Sequence, residues 1–297
     1  MKTVKTANTL LTTGEVAAYL RMKERTVYDM VARQQIPCSR ATGKLLFSRP
    51  LIDAWVEAHT EMPAGRNAVV PMIYAGSSDP LLEWALRQSG CGLAVLATGS
   101  RRGLEAMARG EAMLAGVHLL DPGTGEYNVP HVQALVPQGD VVVIHWARRV
   151  QGLLLAAGNP LGIAGLRDLA ERGLRLARRG EGAGSQLLLE VLLDRAGLSM
   201  GAIRVASQIA ETERDLASMI AMDEADCALG VAAAAEGLGF LPLWPAESFD
   251  LVMRRRDYFE PAVQALLALA RTEAFARRAE HLGGYDLGDL GQVRFNA

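Results

Sequence analysis

The chain has 297 residues, half of them hydrophobic, 5% aromatic and 22% charged, with a formal net charge of −2. That length predicts about two domains with a sizeable core, and the composition is that of a soluble globular protein. The charge is uneven: residues 1–60 carry a net +4 and the remainder a net −6, a small basic module on a larger acidic body, which suits nucleic-acid binding by the former. Cys38, Cys91 and Cys227 are odd in number and widely spaced, without a C-x-x-C pair. This argues against a disulfide framework or a zinc site and for reduced thiols in the cytoplasm. The first residues lack an apolar core of signal-peptide length, and no window reaches about 18 uninterrupted apolar residues, so neither export nor membrane anchoring is expected.

In residues 1–60 the pattern predicts two short helices, a β-wing and a third helix. Thr13 caps a helix that buries Val16, Ala17 and Leu20, and a turn at Arg21-Met22 leads to a second helix over about 23–33. That helix buries Val27, Met30 and Val31, and Pro37 ends it. "CSRATGKLLFSR" suits a hairpin, and Pro50 opens a last helix that packs Leu51, Ile52, Trp55 and Val56. A helix, a tight turn and a second helix followed by a wing is the arrangement that seats its second helix in the DNA major groove. Arg25, Thr26, Tyr28 and Arg33 fall near one face of that helix, with Lys23 at its start. Arg40, Lys44 and Arg49 lie on or beside the wing, placed for phosphates. Residues 61–68, with Pro, Gly and Asn and no apolar period, are the expected linker.

From residue 69 strand-like and helix-like segments alternate, which predicts a mostly parallel α/β sheet. The apolar passage "ALVPQGDVVVIHWARRVQGLLLAAGNP" reads as two strands joined by a turn at 137–140 and passing into a third. Three turns run from an apolar stretch through Gly and Ser into a helical pattern: "AGSSDPLLEWAL", "TGSRRGLEAMA" and "RRGEGAGSQLLLEVLLDRAG". In the last, Ser185 follows Gly184 as the expected helix cap. Ligands in such sheets bind at the carboxyl ends of strands, where these turns fall, and an open helix start suits an anion. Ser77, Ser78, Gly99, Ser100, Gly184 and Ser185 are therefore candidate ligand residues. Tyr127 lies in "DPGTGEYN", a loop that otherwise reads as structural. Arg148 and Arg149 either line the pocket or face solvent, and His118 and His145, in apolar runs, read as core or surface histidines rather than ligands.

"LLTTGEVAAYLRMKERTVYDMVARQQIPCSRATGKLLFSRPLIDAWV" resembles the excisionase-type and MerR-like winged helix-turn-helix family, through T-x-x-E-V-A-x-x-L, R-T-V-Y, I-P, a basic hairpin and D-x-W. The resemblance implies DNA binding by Arg25, Thr26, Tyr28 and the wing. Residues 70–290 resemble the periplasmic-binding-protein-like domain found beside helix-turn-helix modules and molybdopterin-biosynthesis proteins. That implies a type 2 fold of two α/β lobes joined by crossing strands, with lobe 1 at about 69–148 and 240–297 and lobe 2 at about 149–239. The crossings are expected near 147–151 and 230–241. It also implies a cleft for ligands such as molybdate or tungstate, with Arg178, Gln186 and Thr212 among the lining residues. Against the family pattern N-R-x-x-G-[SA]-G-[TS]-R, this chain has Ala177 for Asn and Gln186 for Arg. Glu213 follows Thr212 where a His is usual. The implied pocket thus has fewer donors.

The chain lacks a nucleophile elbow, a P-loop, H-E-x-x-H and C-x-x-C, so no catalytic residue, metal or cofactor is expected. The expected function is a cytoplasmic, ligand-responsive transcriptional regulator, a homodimer on a double-stranded operator that senses a small molecule such as an oxyanion. An enzyme or chaperone of molybdenum-cofactor metabolism using the same cleft is the alternative, and a regulator whose cleft has lost its ligand is a third reading.

Overall fold

A reciprocal cap starts the first helix. In the computed structural model, which describes residues 10–40, 43–59, 70–136 and 140–297, β1 (Leu10–Leu11) leads into α1 (Thr13–Tyr19). The Thr12 hydroxyl accepts from the Glu15 amide, and the Glu15 carboxylate accepts from the Thr12 amide. The cap is thus Thr12 and not the expected Thr13, because the box requires a Glu three places on. Arg21, at φ 53°, turns the chain towards α2 (Glu24–Ala32). β2 (Phe47–Ser48) pairs antiparallel with β1, and α3 (Arg49–Ala58) follows. Val16, Val27, Val31, Ile36, Phe47 and Ile52 form the core of this helix-turn-helix unit. A Ser39–Leu46 bridge makes the base of the wing. The centre of the wing at 41–42, the linker expected at 61–68 and the turn centre at 137–139 lie outside the described residues.

The chain divides into two units, residues 1–68 and 69–297. The second begins with β3 (Ile73–Gly76), α4 (Pro80–Gln88), β4 (Ala94–Leu96), α5 (Ser100–Ala108), β5 (Leu114–Val117) and α6 (Val129–Leu135). β6 (Val141–Leu155), α7 (Leu166–Arg172), β7 (Leu176–Arg179), α8 (Gly184–Arg195), β8 (Val205–Ala210) and α9 (Glu213–Ala221) come next. β9 (Cys227–Val231), β10 (Gly239–Arg254), α10 (Pro261–Ala270), α11 (Glu273–Leu282), β11 (Tyr285–Asp286) and β12 (Val293–Asn296) complete it. Its described strands form one sheet in the order β4-β3-β5-β10-β6-β9-β7-β8, with β11 and β12 paired to β6. β3 is parallel to β4 and β5, and β7 to β8 and β9, whereas β6 and β10 run antiparallel to each other and to their outer neighbours β9 and β5. The sheet is therefore mixed rather than mostly parallel.

The difference from expectation lies in two long strands. The passage read as several strands is one, 141–155, buried at nearly every position. The segments "LGFLPLW" and "DLVMRR" likewise join in β10, whose register shifts between Pro242 and Trp244, Trp244 and Glu247, and Phe249 and Asp250. Proline gives no ladder N–H, so Pro242 and Pro245 fall where pairing is irregular, and the bulges bend the strand. One half of each long strand belongs to each lobe. Along β6, Val141 and Val143 enter one apolar cluster and Val142 and Ile144 another. Past the crossing, Leu153 and Leu155 enter a third and Leu154 a fourth. That alternation covers both faces of the sheet in both lobes. The crossings lie near 149–151 on β6 and 244–247 on β10, the second further along than 230–241. No helix among the described residues is long and apolar enough to cross a membrane.

Helix α5 lies so close over β3 that a Cβ on Gly103 would come 2.3 Å from the Gly76 Cα. Gly103→Ala is expected to push the helix off the sheet and lower the unfolding free energy by about 1–3 kcal/mol. Urea denaturation measures this, and a variant as stable as the parent would show that the helix has room to move.

Candidate functional site

On the first unit, Val27 and Val31 bury one side of α2, and Arg25, Asp29 and Arg33 fall along the opposite side. Lys23, Arg25, Thr26, Tyr28, Arg33, Arg40 and Lys44 are all exposed, and Tyr28 offers half its surface. Arg49 is also exposed, but its guanidinium lies 3.1 Å from Asp53 and stacks on Tyr19. It is braced by Asp53 of its own helix and by Tyr19 of α1.

In the second unit the starts of four helices meet where the lobes join. Ser77 and Ser100 share a 2.8 Å hydroxyl contact, and the His118 amide donates to Ser100 Oγ. Bonds between these turns also cross between lobes, the Glu213 amide to Ser78 Oγ at 3.1 Å and the Arg101 amide to the Gly182 carbonyl at 3.2 Å. Gly184 faces His118 so closely that a Cβ would come 2.4 Å from the His118 carbonyl oxygen, and one on Gly99 would touch Ala183. The structure thus brings Ser77, Ser78, Gly99, Ser100, Gly184 and Ser185 to one junction.

The four starts are not alike. Asp79 accepts from the Leu82 amide and caps α4, and Thr212 with Asp215 forms a capping box on α9, which occupies the Thr212 hydroxyl. α5, with Gly99 at its cap, and α8, with Ala183, have no side-chain cap and no acidic residue in the first turn. Ser185 is therefore not the cap of α8. Gly182, at φ 81°, and the extended Ala183 already lead the chain to the helix, which starts at Gly184. Ser185 falls inside the first turn, 2% exposed, with no partner for its hydroxyl. Gln186 is buried and donates to Glu190 at 3.0 Å. The buried Tyr127 hydroxyl has no aligned partner; burial, then the charge of Glu247, push its ionisation up and keep it protonated. Arg178 is half-buried on β7, and its neighbour Arg179 makes the buried contacts, to Glu213 at 3.0 Å and the Ala210 carbonyl at 3.1 Å.

The centre of the junction is a charged hub absent from the candidate list. Arg149, 1% exposed, donates to Glu247 at 2.8 Å and to Asp79 at 2.9 Å, with Phe249 under its guanidinium. The other Glu247 oxygen contacts His118 Nδ1 and accepts from Gln151 at 2.9 Å. Tyr285 donates to Asp79 at 2.8 Å. Burial alone would raise the Glu247 ionisation; the Arg149 guanidinium, then His118 and Gln151, outweigh it and hold the carboxyl down to about 2. The available signal was the run "HWARRVQGLLL": polar residues inside a strand flanked on both sides by apolar ones.

Residues 83–271 match a PBP superfamily domain and residues 10–60 a helix-turn-helix domain. The chain is 26% identical over 303 residues to "Uncharacterized protein YvgK" of Bacillus subtilis (strain 168), covering 95% of this chain and 96% of that one. It is 31% identical over 81 residues to "Uncharacterized protein in ferredoxin 2Fe-2S gene 5'region" of Clostridium pasteurianum, covering 26% of this chain and 71% of that one. Among solved structures, a mutant of Corynebacterium glutamicum OxyR with hydrogen peroxide bound is similar with a TM-score of 0.48 at 13% identity, over 91% of this chain and 89% of that one.

The hub makes stability depend on acid. An unfolded glutamate ionises near 4.5, so as pH falls the unfolded chain takes up this proton before the folded one does. The contribution of Glu247 is complete above about pH 4.5 and lost as pH falls towards about 2. Glu247→Gln is expected to remove that acid-labile part and, by leaving Arg149 uncompensated in the interior, to cost about 3–5 kcal/mol at neutral pH. Urea unfolding over that pH range checks both, and an unchanged neutral-pH stability would contradict the assignment.

Proposed function

Because the chain belongs to the PBP superfamily and carries a helix-turn-helix domain ahead of it, we propose that it is a transcriptional regulator that binds double-stranded DNA and answers to a small effector. The effector bears an oxyanion group, the feature that molybdate, tungstate, sulfate and organic carboxylates share. In this reading residues 1–60 read an operator in the cytoplasm and residues 69–297 sense the effector. Arg25, Thr26 and Tyr28 contact base edges, and Lys23, Arg33, Arg40 and Lys44 hold phosphates. Arg49, braced by Asp53 and Tyr19, steadies the third helix against the first.

The observation that carries the effector reading is the pair of uncapped helix starts brought together at the junction. Each leaves amide hydrogens without an intrahelical acceptor and a partial positive charge, although the Arg101 amide of α5 already meets the Gly182 carbonyl. With no acidic residue in either first turn, an anion there satisfies both ends at once, through charge-assisted bonds about twice as strong as neutral ones. The Ser185 hydroxyl adds a donor, while Ser77, Ser78 and Ser100 brace the turns through the bonds they already make. Because the two starts belong to different lobes, an anion between them favours the closed arrangement. Differential affinity for open and closed forms then shifts the population, and in a homodimer this changes how paired reading helices meet a two-fold operator.

Gel shifts on the DNA upstream of the chain's own coding sequence, at fixed salt, test the DNA half. Arg25→Ala is expected to weaken binding by about 1–3 kcal/mol; unchanged binding would remove Arg25 from the interface. Thermal stability titrated with molybdate, tungstate, sulfate and a series of carboxylates tests the effector half, since a ligand of the folded state raises the midpoint.

A further inference from the structure

We infer that the effector carries hydrogen-bond donors of its own beside the anionic group, as a hydroxy acid or an amino acid does, and is not a bare tetrahedral oxyanion. The inference rests on the effector reading above and names the chemistry it selects. Two buried amides at the junction have their orientation fixed. Gln151, fully buried, gives its Nε2 to Glu247, and Gln186, 5% exposed, gives its Nε2 to Glu190. A carboxylate only accepts, so each side chain must turn its NH2 group towards it, and a flipped amide would set oxygen against oxygen. Both carbonyl oxygens are therefore held as acceptors facing elsewhere, and both are buried without a partner.

The two amides belong to one region. The Glu247 oxygen that Gln151 contacts also meets His118, and the His118 ring lies 2.6 Å from where a Cβ of Gly184 would stand, two residues before Gln186. Ser185 Oγ and the Tyr127 hydroxyl, also buried without aligned partners, either donate or accept. Next to Gln186, through its partner Glu190, runs a groove of about 340 Å³ whose walls carry Asp121, Glu190 and Asp194 with Arg195 and Trp244, so its carboxylates also call for donors on the ligand. Glu190, on its wall, is the group that holds Gln186. That volume is in the range of small organic ligands. Molybdate and sulfate at neutral pH bring acceptors alone and would set their oxygens against two fixed acceptors. A hydroxyl or ammonium group beside a carboxylate would satisfy the amide oxygens while the carboxylate meets the helix starts.

The test uses the full chain and two matched sets, propionate with lactate and alanine, and succinate with malate and aspartate, together with molybdate and sulfate. Calorimetry gives affinities and thermal shift gives folding. At least one substituted acid is expected to bind about tenfold or more tightly than its unsubstituted parent, the lactate and alanine arms separating hydroxyl from ammonium. In Gln186→Met the ratio of substituted acid to parent is expected to fall to about one, read as a ratio because Glu190 loses its donor and the affinity of both acids shifts. Molybdate or sulfate binding as tightly as the best substituted acid would overturn the inference and leave the effector reading standing, as would equal binding of parent and substituted acids. A preference that survives in a folded Gln186→Met would remove Gln186 as the selecting group. If that variant fails to fold, the wild-type ratios decide alone. Silence from every compound would overturn the effector reading, and this inference with it.

Discussion

A single buried guanidinium organises the second unit. Arg149 sits where β6 passes from one lobe to the other, and its partners come from β10 through Glu247 and from the start of α4 through Asp79. A buried arginine is tolerated only where its donors are met. Here Glu247 and Asp79 supply the acceptors, and Phe249 covers the guanidinium face. The contacts that fix Arg149 also fix the two crossing strands to each other at the point where the β10 register is broken. The hub thus reinforces the ladder where its register shifts between Trp244 and Glu247.

The junction follows from that arrangement. Asp79 spends one oxygen on the cap of α4 and the other on Arg149 and Tyr285. Glu247 positions His118, and His118 stands against Gly184. Through these contacts the hub sets how near the start of α8 comes to that of α5. Self-capping at α4 and α9 leaves those two starts without demand. α5 and α8 have no such side-chain cap, so two of four superficially similar turns differ from the other pair.

Local chemistry was legible in the sequence, and distant pairing was not. The helix-turn-helix unit could be read from residues within a few positions of one another, as could Pro80 at the start of α4 and the Gly-rich approach to α8. Even there, the choice of Thr12 over Thr13 turned on Glu15, and the shift of Ser185 from cap to first turn turned on the backbone of Gly182 and Ala183. Arg148 and Arg149 are adjacent and identical in type, yet one faces solvent and the other is buried. What separates them is Glu247, 98 positions further on. His118 reads as either a core or a surface histidine; it is buried, and the partner that meets it there is 129 positions away. The same holds for Arg178 and Arg179, whose roles are divided by contacts around residues 210–213. A polar residue in an apolar run carries no mark of whether solvent or a remote carboxylate will meet it.

The route of the chain through the hub also bears on the order in which the protein can mature on the ribosome. The helix-turn-helix unit draws its core from residues 11 to 52 and has everything it needs early. The hub draws on Asp79, Arg149 and Glu247 and is completed by Tyr285, more than two hundred positions after Asp79. β12 lies later still, yet it pairs with β6 in the first-made half of that strand. The nascent chain therefore emerges with a finished helix-turn-helix module followed by a second unit whose central charges lack their full set of partners until residue 285 has been made.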